Sequence, residues 1–552
     1  MSSSTYPISV LDYGAGNVLS LLNALSILGY TNVTIITTPS EVTSATCIIF
    51  PGVGSFGLAM ENLVKMGVLQ ALVTHIKSDK PYFGICLGMQ VLFTSSSESP
   101  SIPGLGIIGG EVTKFQGKDG SKVPNIGWNT LTPTSSCTSS TPIPKEGTGG
   151  YYYFVHSYRA LPPDGVDKEW IQTTAEYGGD VYVASVGKGN VAGCQFHPEK
   201  SGGDGLEVMR RWICSVSGGL VNSNVGEAGV GGGGGIAKRL VVALDVRSND
   251  VGELVVTKGD QYDVREKGEG GKGGVRNLGK PSDMARKYYE DGADEIAFLN
   301  ITSFRSKVID DLPLVELMKE TSKHVFVPMT VGGGIRDFTD EHGKLWKGWQ
   351  VADRYFRAGA DKVSIGSDSV TAVERLRDEG WDKDKVDSSI GDISVRYGVQ
   401  AVVVSIDPKR VYVKGEERVE AERRGHVVKD TKDGRACWWQ CTVKGGREAR
   451  DICAVTVARG VAELGAGEIM LNCIDNDGQC DGYDLELMDA VGGAVDVPVI
   501  ASSGAGREEH VSEVFLKTGV SAALAAGMFH RGEVEIESVK RDMRDKGLVT
   551  RM

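Results

Sequence analysis

The second half of the chain repeats itself, and that duplication restricts its fold more than any other feature. "VVALDV" matches "VVVSID", "GADEIAFLNI" matches "GAGEIMLNCI", "VFVPMTVGGG" matches "VDVPVIASSG", and "RAGADKVSIGS" matches "KTGVSAALAAG". Eight short apolar runs stand out: "RLVVALDV", "EIAFLNI", "VFVPMTV", "DKVSIG", "QAVVVSID", "EIMLNCI", "VPVIASS" and "AALAAG". Helical patterns such as "PSDMARKYYEDG" and "WQVADRYFRAG" separate them. Eight strands alternating with helices predict a closed (β/α)8 barrel built of two four-stranded halves about an approximate twofold axis.

The first half reads differently. "ISVLDYG", "VTIITT", "CIIFPGVGSF" and "YFGICLG" alternate with 3.6-period stretches such as "NVLSLLNALSILGY". That is the pattern of an open, doubly wound α/β sheet, with "YYYFVHSYRA" and "GNVAGCQFHPE" expected as strands of an added antiparallel portion. Between the halves, Ser215 to Arg239 is rich in Gly, Ser, Asn and Val with five consecutive glycines. A flexible tether of this kind spans roughly 25 Å without dictating how its ends dock. The expected division is residues 6–215, a linker at 216–236, and a barrel at 237–552.

Composition removes several classes of function. With 41% hydrophobic and 24% charged residues, and no apolar run near membrane-spanning length, a soluble protein is expected. The formal net charge of -12 argues against nucleic acid, so any phosphate site must be local. The ten cysteines show no CxxC spacing, and Cys437 and Cys441 in "ACWWQC" lack a second pair, so neither metal nor cofactor is expected. The start "MSSSTYPISVLDYG" has no basic and apolar signal region, which favours a cytoplasmic location, or a plastid one with a transit peptide removed.

In "GICLGMQ", Cys86 sits on a tight strand-to-helix turn flanked by Gly84 and Gly88, where a following helix N-terminus favours a thiolate. "QFHPEKS" offers His197 as a base and Glu199, two residues on, as its orienting carboxylate. In "FPGVGSF", the N–H groups of Gly52 and Val53 suit an oxyanion hole completed by the N–H of Leu87. These motifs, with "YYFVHSY", resemble the glutaminase of the class I (triad) glutamine amidotransferases. The resemblance implies Cys86 as nucleophile, His197 as base and then acid, Glu199 as orienter, and Gln90 in the glutamine site.

At the barrel's C-terminal mouth, Asp245 and Asp407 close strands one and five, and the repeat sets them opposite each other as an acid–base pair. Small-residue loops follow strands three and seven (Gly333, Gly334; Ser503, Gly504) and strands four and eight (Gly366, Ser367; Ala526, Gly527). Two such sets predict two phosphate sites at opposite edges of the mouth, with Lys258 as an added cation. At the other end Arg239, Glu295, Lys362 and Glu468 start four strands, and as a ring they would plug an axial pore.

The segments "VVTKGDQYDVRE", "KVSIGSD", "IDPKRVY", "TVKGGRE", "NCIDNDG" and "ASSGAG" make the whole chain resemble the fused glutaminase–cyclases of histidine biosynthesis, of fungal and plant type. The resemblance implies glutamine and the bisphosphate PRFAR as substrates, ammonia passing through the charged gate, and supporting roles for Lys258, Asn300, Asn472 and Asp477 with Gly478. Asn300 stands where many bacterial relatives carry aspartate. A monomer with intramolecular docking suffices. Two alternatives stay open: a glutaminase fused to a phosphosugar isomerase of the same pathway, and a silent glutamine-binding scaffold. The segments "GEGGKGGVRN" and "KGEERVEAERRGHVVKDTKDGRACWW" are expected as exposed loops.

Overall fold

The computed structural model describes residues 5–137, 150–162, 167–218, 235–249, 252–257, 277–301, 313–340 and 342–552. Lys258, most of the Gly-rich linker and most of "GEGGKGGVRN" lie outside these.

In the first half, one sheet runs in the order Val33–Ile36, Ile8–Leu11, Ile48–Phe50, Tyr82–Ile85, Val191–Cys194, Asp180–Lys188, Ile171–Tyr177 and Thr132–Pro133. The first five are parallel neighbours and the rest are antiparallel. This corrects one expectation in part: "GNVAGC" pairs antiparallel with Asp180–Lys188 on one side but lies parallel to the Cys86 strand on the other, Cys194 opposite Ile85. Tyr152–His156 instead pairs with Asn125–Asn129 in a small sheet of its own. The insertion of Val191–Cys194 beside Tyr82–Ile85 delivers His197 to Cys86, because both chains leave the sheet at the same carboxyl edge.

The second half closes as expected. Strands one to eight are Arg239–Ser248, Glu295–Asn300, Met329–Gly332, Lys362–Ile365, Val402–Val413, Glu468–Asn472, Val499–Ser502 and Ala522–Ala525. Each pairs in parallel with the next, and strand eight returns to strand one. Strand five continues past Asp407 into a three-stranded ribbon with Ala436–Val443 and Glu448–Cys453. The segment 414–439 is therefore only partly exposed: it holds the helix Glu416–Arg423, then buries Trp438 and Trp439, the latter donating to Asp484 at 3.0 Å.

Successive strand residues face opposite sides, so alternate positions line the barrel axis. On strand one these are Arg239, Val241, Ala243 and Asp245, from gate to mouth. Val241, Ala243, Ala297, Val403, Met470, Ile500, Ala522 and Leu524 form one buried apolar cluster in the interior.

The glutaminase-like half caps the N-terminal end of the barrel through the loops that precede its strands. Asn17 Nδ2 donates to the Gly359 carbonyl and to Asp361 Oδ1, both at 2.9 Å. Lys200 pairs with Asp361 at 2.8 Å, Val123 N–H donates to the Asp496 carbonyl at 2.8 Å, and Gly202 N–H to that of Phe326 at 3.0 Å. Trp128 is fully buried, its indole N–H on the Asp294 carbonyl at 3.2 Å and the Arg551 guanidinium over its ring at 4.2 Å. Specific donors and acceptors, rather than the linker, set this docking.

Candidate functional site

Cys86 follows its strand directly and takes a left-handed backbone, φ 52° and ψ -105°. That conformation, unfavourable for a residue with a Cβ, is held by dense backbone packing. A Cβ on Gly52 would sit 2.5 Å from Leu87 Cβ and 2.6 Å from Gly88 N, so only glycine lets "FPGVG" lie against the nucleophile's turn. The helix expected after Cys86 is one turn, Leu87–Gln90, after which the chain enters the strand Phe93–Ser96. Its dipole is correspondingly weak, and the groups that hold the sulfur are side chains.

His197 and Glu199 are 6% and 5% exposed, with Nδ1 and Oε1 at 2.8 Å, Glu199 reaching back from the one-turn helix Pro198–Lys200 rather than along an extended strand. Burial opposes charge on His197, but Glu199 and the Cys86 sulfur outweigh it and hold the imidazole pKa well above 6.5. His197 Nε2 makes no ordinary hydrogen bond. Among the oxyanion donors, the Val53 N–H is engaged elsewhere: it donates to Tyr13 Oη at 3.1 Å, while the Tyr13 hydroxyl donates to the Val53 carbonyl. Gln90 is buried, its Nε2 donating to the Tyr158 carbonyl and to Gln195 Oε1, both at 3.0 Å. Gln195 was not singled out in the sequence, although its i, i+2 spacing to His197 puts both on one side of the strand end.

A cavity of about 40 Å³ runs from this centre to the barrel. It is lined by Gly52, Val53, Cys86 and His197 at one end and by Asp361, Lys362 and Gln400 at the other. Beyond it, four buried charges alternate in a closed ring: Arg239 pairs with Glu295 at 2.8 Å and with Glu468, and Lys362 pairs with Glu295 at 2.6 Å and Glu468 at 2.7 Å. Tyr153 bridges the two regions, its carbonyl accepting from His197 N–H at 2.9 Å and its buried phenol facing the ring.

At the barrel's far end a cavity of about 530 Å³ collects Asp245, Asp407, Asn300, Asn472, Asp477, Gly478, Gly333, Gly334, Gly366, Ser367, Ser503, Gly504, Ala526 and Gly527. Gly504 has φ +105°, and a Cβ there would meet the Gly482 carbonyl oxygen at 2.1 Å. Asp407 Oδ1 accepts from Asn472 Nδ2 at 2.8 Å and from Ser405 Oγ at 3.2 Å. Burial raises the Asp407 pKa above the ordinary 3.8, these bonds act against it, and Asp477 adds to it. The duplication has diverged here, since the repeat positions of Ser405 and Asn472 are Ala243 and Leu299 beside Asp245. Asn300 falls one step out of the inward alternation of Glu295, Ala297 and Leu299.

The mouth also holds cations that the sequence reading left unassigned: Arg336, Lys444, Arg447 and Arg531. Arg336 adjoins the quoted glycines, and "KGGRE" was a motif without a role; nothing marked Arg531. The Lys444 N–H donates to Ser367 Oγ at 2.8 Å and Arg450 pairs with Glu374 at 2.6 Å, which fixes the ribbon over the mouth. Among the described residues no cluster of His, Cys, Asp or Glu has metal-holding geometry, and no single helix is long and apolar enough to cross a membrane.

A cysteine–histidine–glutamate centre on a doubly wound sheet, docked on a barrel with paired aspartates, is the arrangement of a glutamine amidotransferase joined to a barrel enzyme. Family comparison agrees: residues 9–214 match glutamine amidotransferase class-I and residues 239–535 match the histidine biosynthesis protein family. The chain is 49% identical to the chloroplastic imidazole glycerol phosphate synthase hisHF of Arabidopsis thaliana, covering 100% of this chain and 90% of that one. It is 48% identical to the hisHF of Emericella nidulans over 99% and 98%, and 46% identical to that of Schizosaccharomyces pombe over 97% and 97%. The chain belongs to the bifunctional hisHF imidazole glycerol phosphate synthases of histidine biosynthesis, a glutaminase fused to a cyclase barrel. The isomerase and scaffold alternatives are thereby set aside.

Proposed function

We propose that the Cys86 sulfur attacks the side-chain carboxamide of glutamine, forming a C–S bond while the carbonyl electrons move onto oxygen. Leu87 and Gly52 N–H groups face that oxyanion, and the Val53 N–H joins them when Tyr13 releases it. As the C–N bond breaks, His197 delivers its proton to the leaving nitrogen and ammonia departs. Water then attacks the thioester, His197 accepts its proton, and glutamate leaves as the C–S bond breaks. Glu199 keeps the imidazole oriented throughout.

Ammonia enters the cavity at Lys362, passes the ring of Arg239, Glu295, Lys362 and Glu468 when it opens, and follows the apolar interior formed by Val241, Ala243, Met470 and Leu524. Such a lining suits the neutral molecule and opposes ammonium, whose desolvation is costly. At the mouth it condenses with the ketose carbonyl of PRFAR; elimination and ring closure between Asp245 and Asp407 give imidazole glycerol phosphate and aminoimidazole carboxamide ribotide. The loops at Gly333–Gly334 with Gly366–Ser367, and at Ser503–Gly504 with Ala526–Gly527, hold one phosphate each. The observation that carries this reading is the cavity joining Cys86 to the ring. A monomer in the cytoplasm or a plastid accords with it. Glutamate and imidazole glycerol phosphate measured in one reaction test it: the two should appear one for one, and glutamate should form chiefly when PRFAR is present. Free glutamate release without PRFAR would contradict it.

A further inference from the structure

Gln195 is fully buried, with Nε2 3.5 Å from the Cys86 sulfur and Oε1 accepting from Gln90 Nε2 at 3.0 Å. An amide so placed is ambiguous in orientation until something that cannot flip fixes it. The main-chain carbonyl of Tyr158 does so: it accepts from the same Gln90 nitrogen at 3.0 Å, and from His156 Nδ1 at 2.8 Å. A carbonyl cannot donate, so Gln90 must present its NH2 to Tyr158 and therefore also to Gln195. Gln195 must then answer with its oxygen, which leaves its own NH2 toward the sulfur. The relay Tyr158, Gln90, Gln195, Cys86 thus ends in a donor aimed at the nucleophile.

From this geometry we infer that Gln195 is a thiolate-stabilising residue of the glutaminase, donating a hydrogen bond to Cys86 sulfur whenever it is negative. The inference rests on the assignment of Cys86 as nucleophile. The sulfur carries charge twice in each turnover: before it attacks the carboxamide carbon, and when the thioester C–S bond breaks and the electron pair returns to it. His197 sheds its proton to the leaving nitrogen in between, so the amide is the donor whose presence does not depend on the stage of the reaction. A buried anion without such a donor is strongly disfavoured, and hydrogen bonding to the charged form favours it. Gln90 then has a supporting role besides any contact with glutamine, since it sets the direction of the Gln195 amide.

The test uses the full chain carrying Gln195→Met, which keeps the length and loses the donor, and Gln195→Glu, which keeps the shape and still accepts from Gln90 but turns an oxygen toward the sulfur. Three quantities are read: glutaminase kcat with PRFAR present, the rate at which iodoacetamide modifies Cys86 as a function of pH, followed by mass spectrometry, and synthesis from ammonium salts. Gln195→Met is expected to lower glutaminase kcat and Cys86 alkylation at pH 7 about tenfold, consistent with loss of one charge-assisted hydrogen bond. The alkylation rate should recover as pH rises, and Gln195→Glu should be slower still. Undiminished synthesis from ammonium shows that the fold survives. Alkylation profiles that superimpose on the unsubstituted chain, or a Glu variant no slower than the Met variant, would overturn the inference. If Cys86→Ala itself retains glutaminase activity, the nucleophile assignment fails, and this inference with it.

Discussion

The left-handed backbone at Cys86 costs on the order of 1–3 kcal/mol, and the fold retains it because it lifts the sulfur out of the sheet toward His197. Replacing Cys86 with alanine should lower glutamine-dependent synthesis on the order of 10³-fold or more and leave synthesis from ammonium salts unchanged. Asp407→Asn should lower both activities, by about 10²- to 10⁴-fold, because it acts where either nitrogen source is consumed. His156 carries a prediction about stability. It is buried and neutral, Nδ1 donating to the Tyr158 carbonyl at 2.8 Å, and burial lowers its pKa from 6.5 to about 3. The unfolded chain therefore binds a proton that the folded chain refuses between these values, so stability falls as pH drops below 6.5. Urea midpoints measured from pH 7 to pH 4 should decline less steeply in His156→Gln. At this scale the sequence was informative where a motif concentrates rare residue types: Cys86 stands between Gly84 and Gly88, His197 and Glu199 follow an apolar run, and Asp245 and Asp407 fall at matching positions of the repeat. Gln195 and Tyr13 carried no such mark, because their importance lies in which hydrogen bonds they complete across the fold.

Strand alternation explains why one element can serve both ends of the barrel. Arg239 and Asp245 are six residues apart on strand one, Lys362 at the start of strand four is four residues before Gly366 just past its end, and Glu468 and Asn472 are four apart on strand six. Even spacing puts gate and mouth on one inward face. The repeat made this readable without a structure, as it did the placement of Asp245 opposite Asp407. The ring's connectivity was not readable, since it depends on distances among four strands. Removing one member leaves an uncompensated buried charge, so Lys362→Met should destabilise the barrel by about 3–5 kcal/mol in denaturant unfolding, and Lys362→Arg by much less. The short helix after Cys86 escaped prediction for the opposite reason. "LGMQVLF" suits a helix locally, but Phe93 to Ser96 is recruited as a strand beside Ile108–Lys114, a tertiary contact that overrides propensity.

The whole molecule places its two candidate sites at opposite ends of an axis whose middle is closed by charge and lined by apolar side chains. The docking that creates this axis was not visible in the sequence, because Asn17, Lys122, Trp128 and Lys200 look like ordinary surface or core residues until the barrel's loops meet them. Lys122, for instance, donates to the Gly492 and Val495 carbonyls at 2.9 and 2.6 Å. Internal transfer of ammonia is the central claim, and isotope competition addresses it most directly. The full chain is supplied with PRFAR, glutamine labelled with ¹⁵N at the amide, and a large excess of unlabelled ammonium, and the imidazole glycerol phosphate is analysed by mass spectrometry. Passage along the barrel axis predicts product that keeps the ¹⁵N label nearly undiluted. Label diluted in proportion to the ammonium in solution would show that ammonia leaves the protein before it reacts.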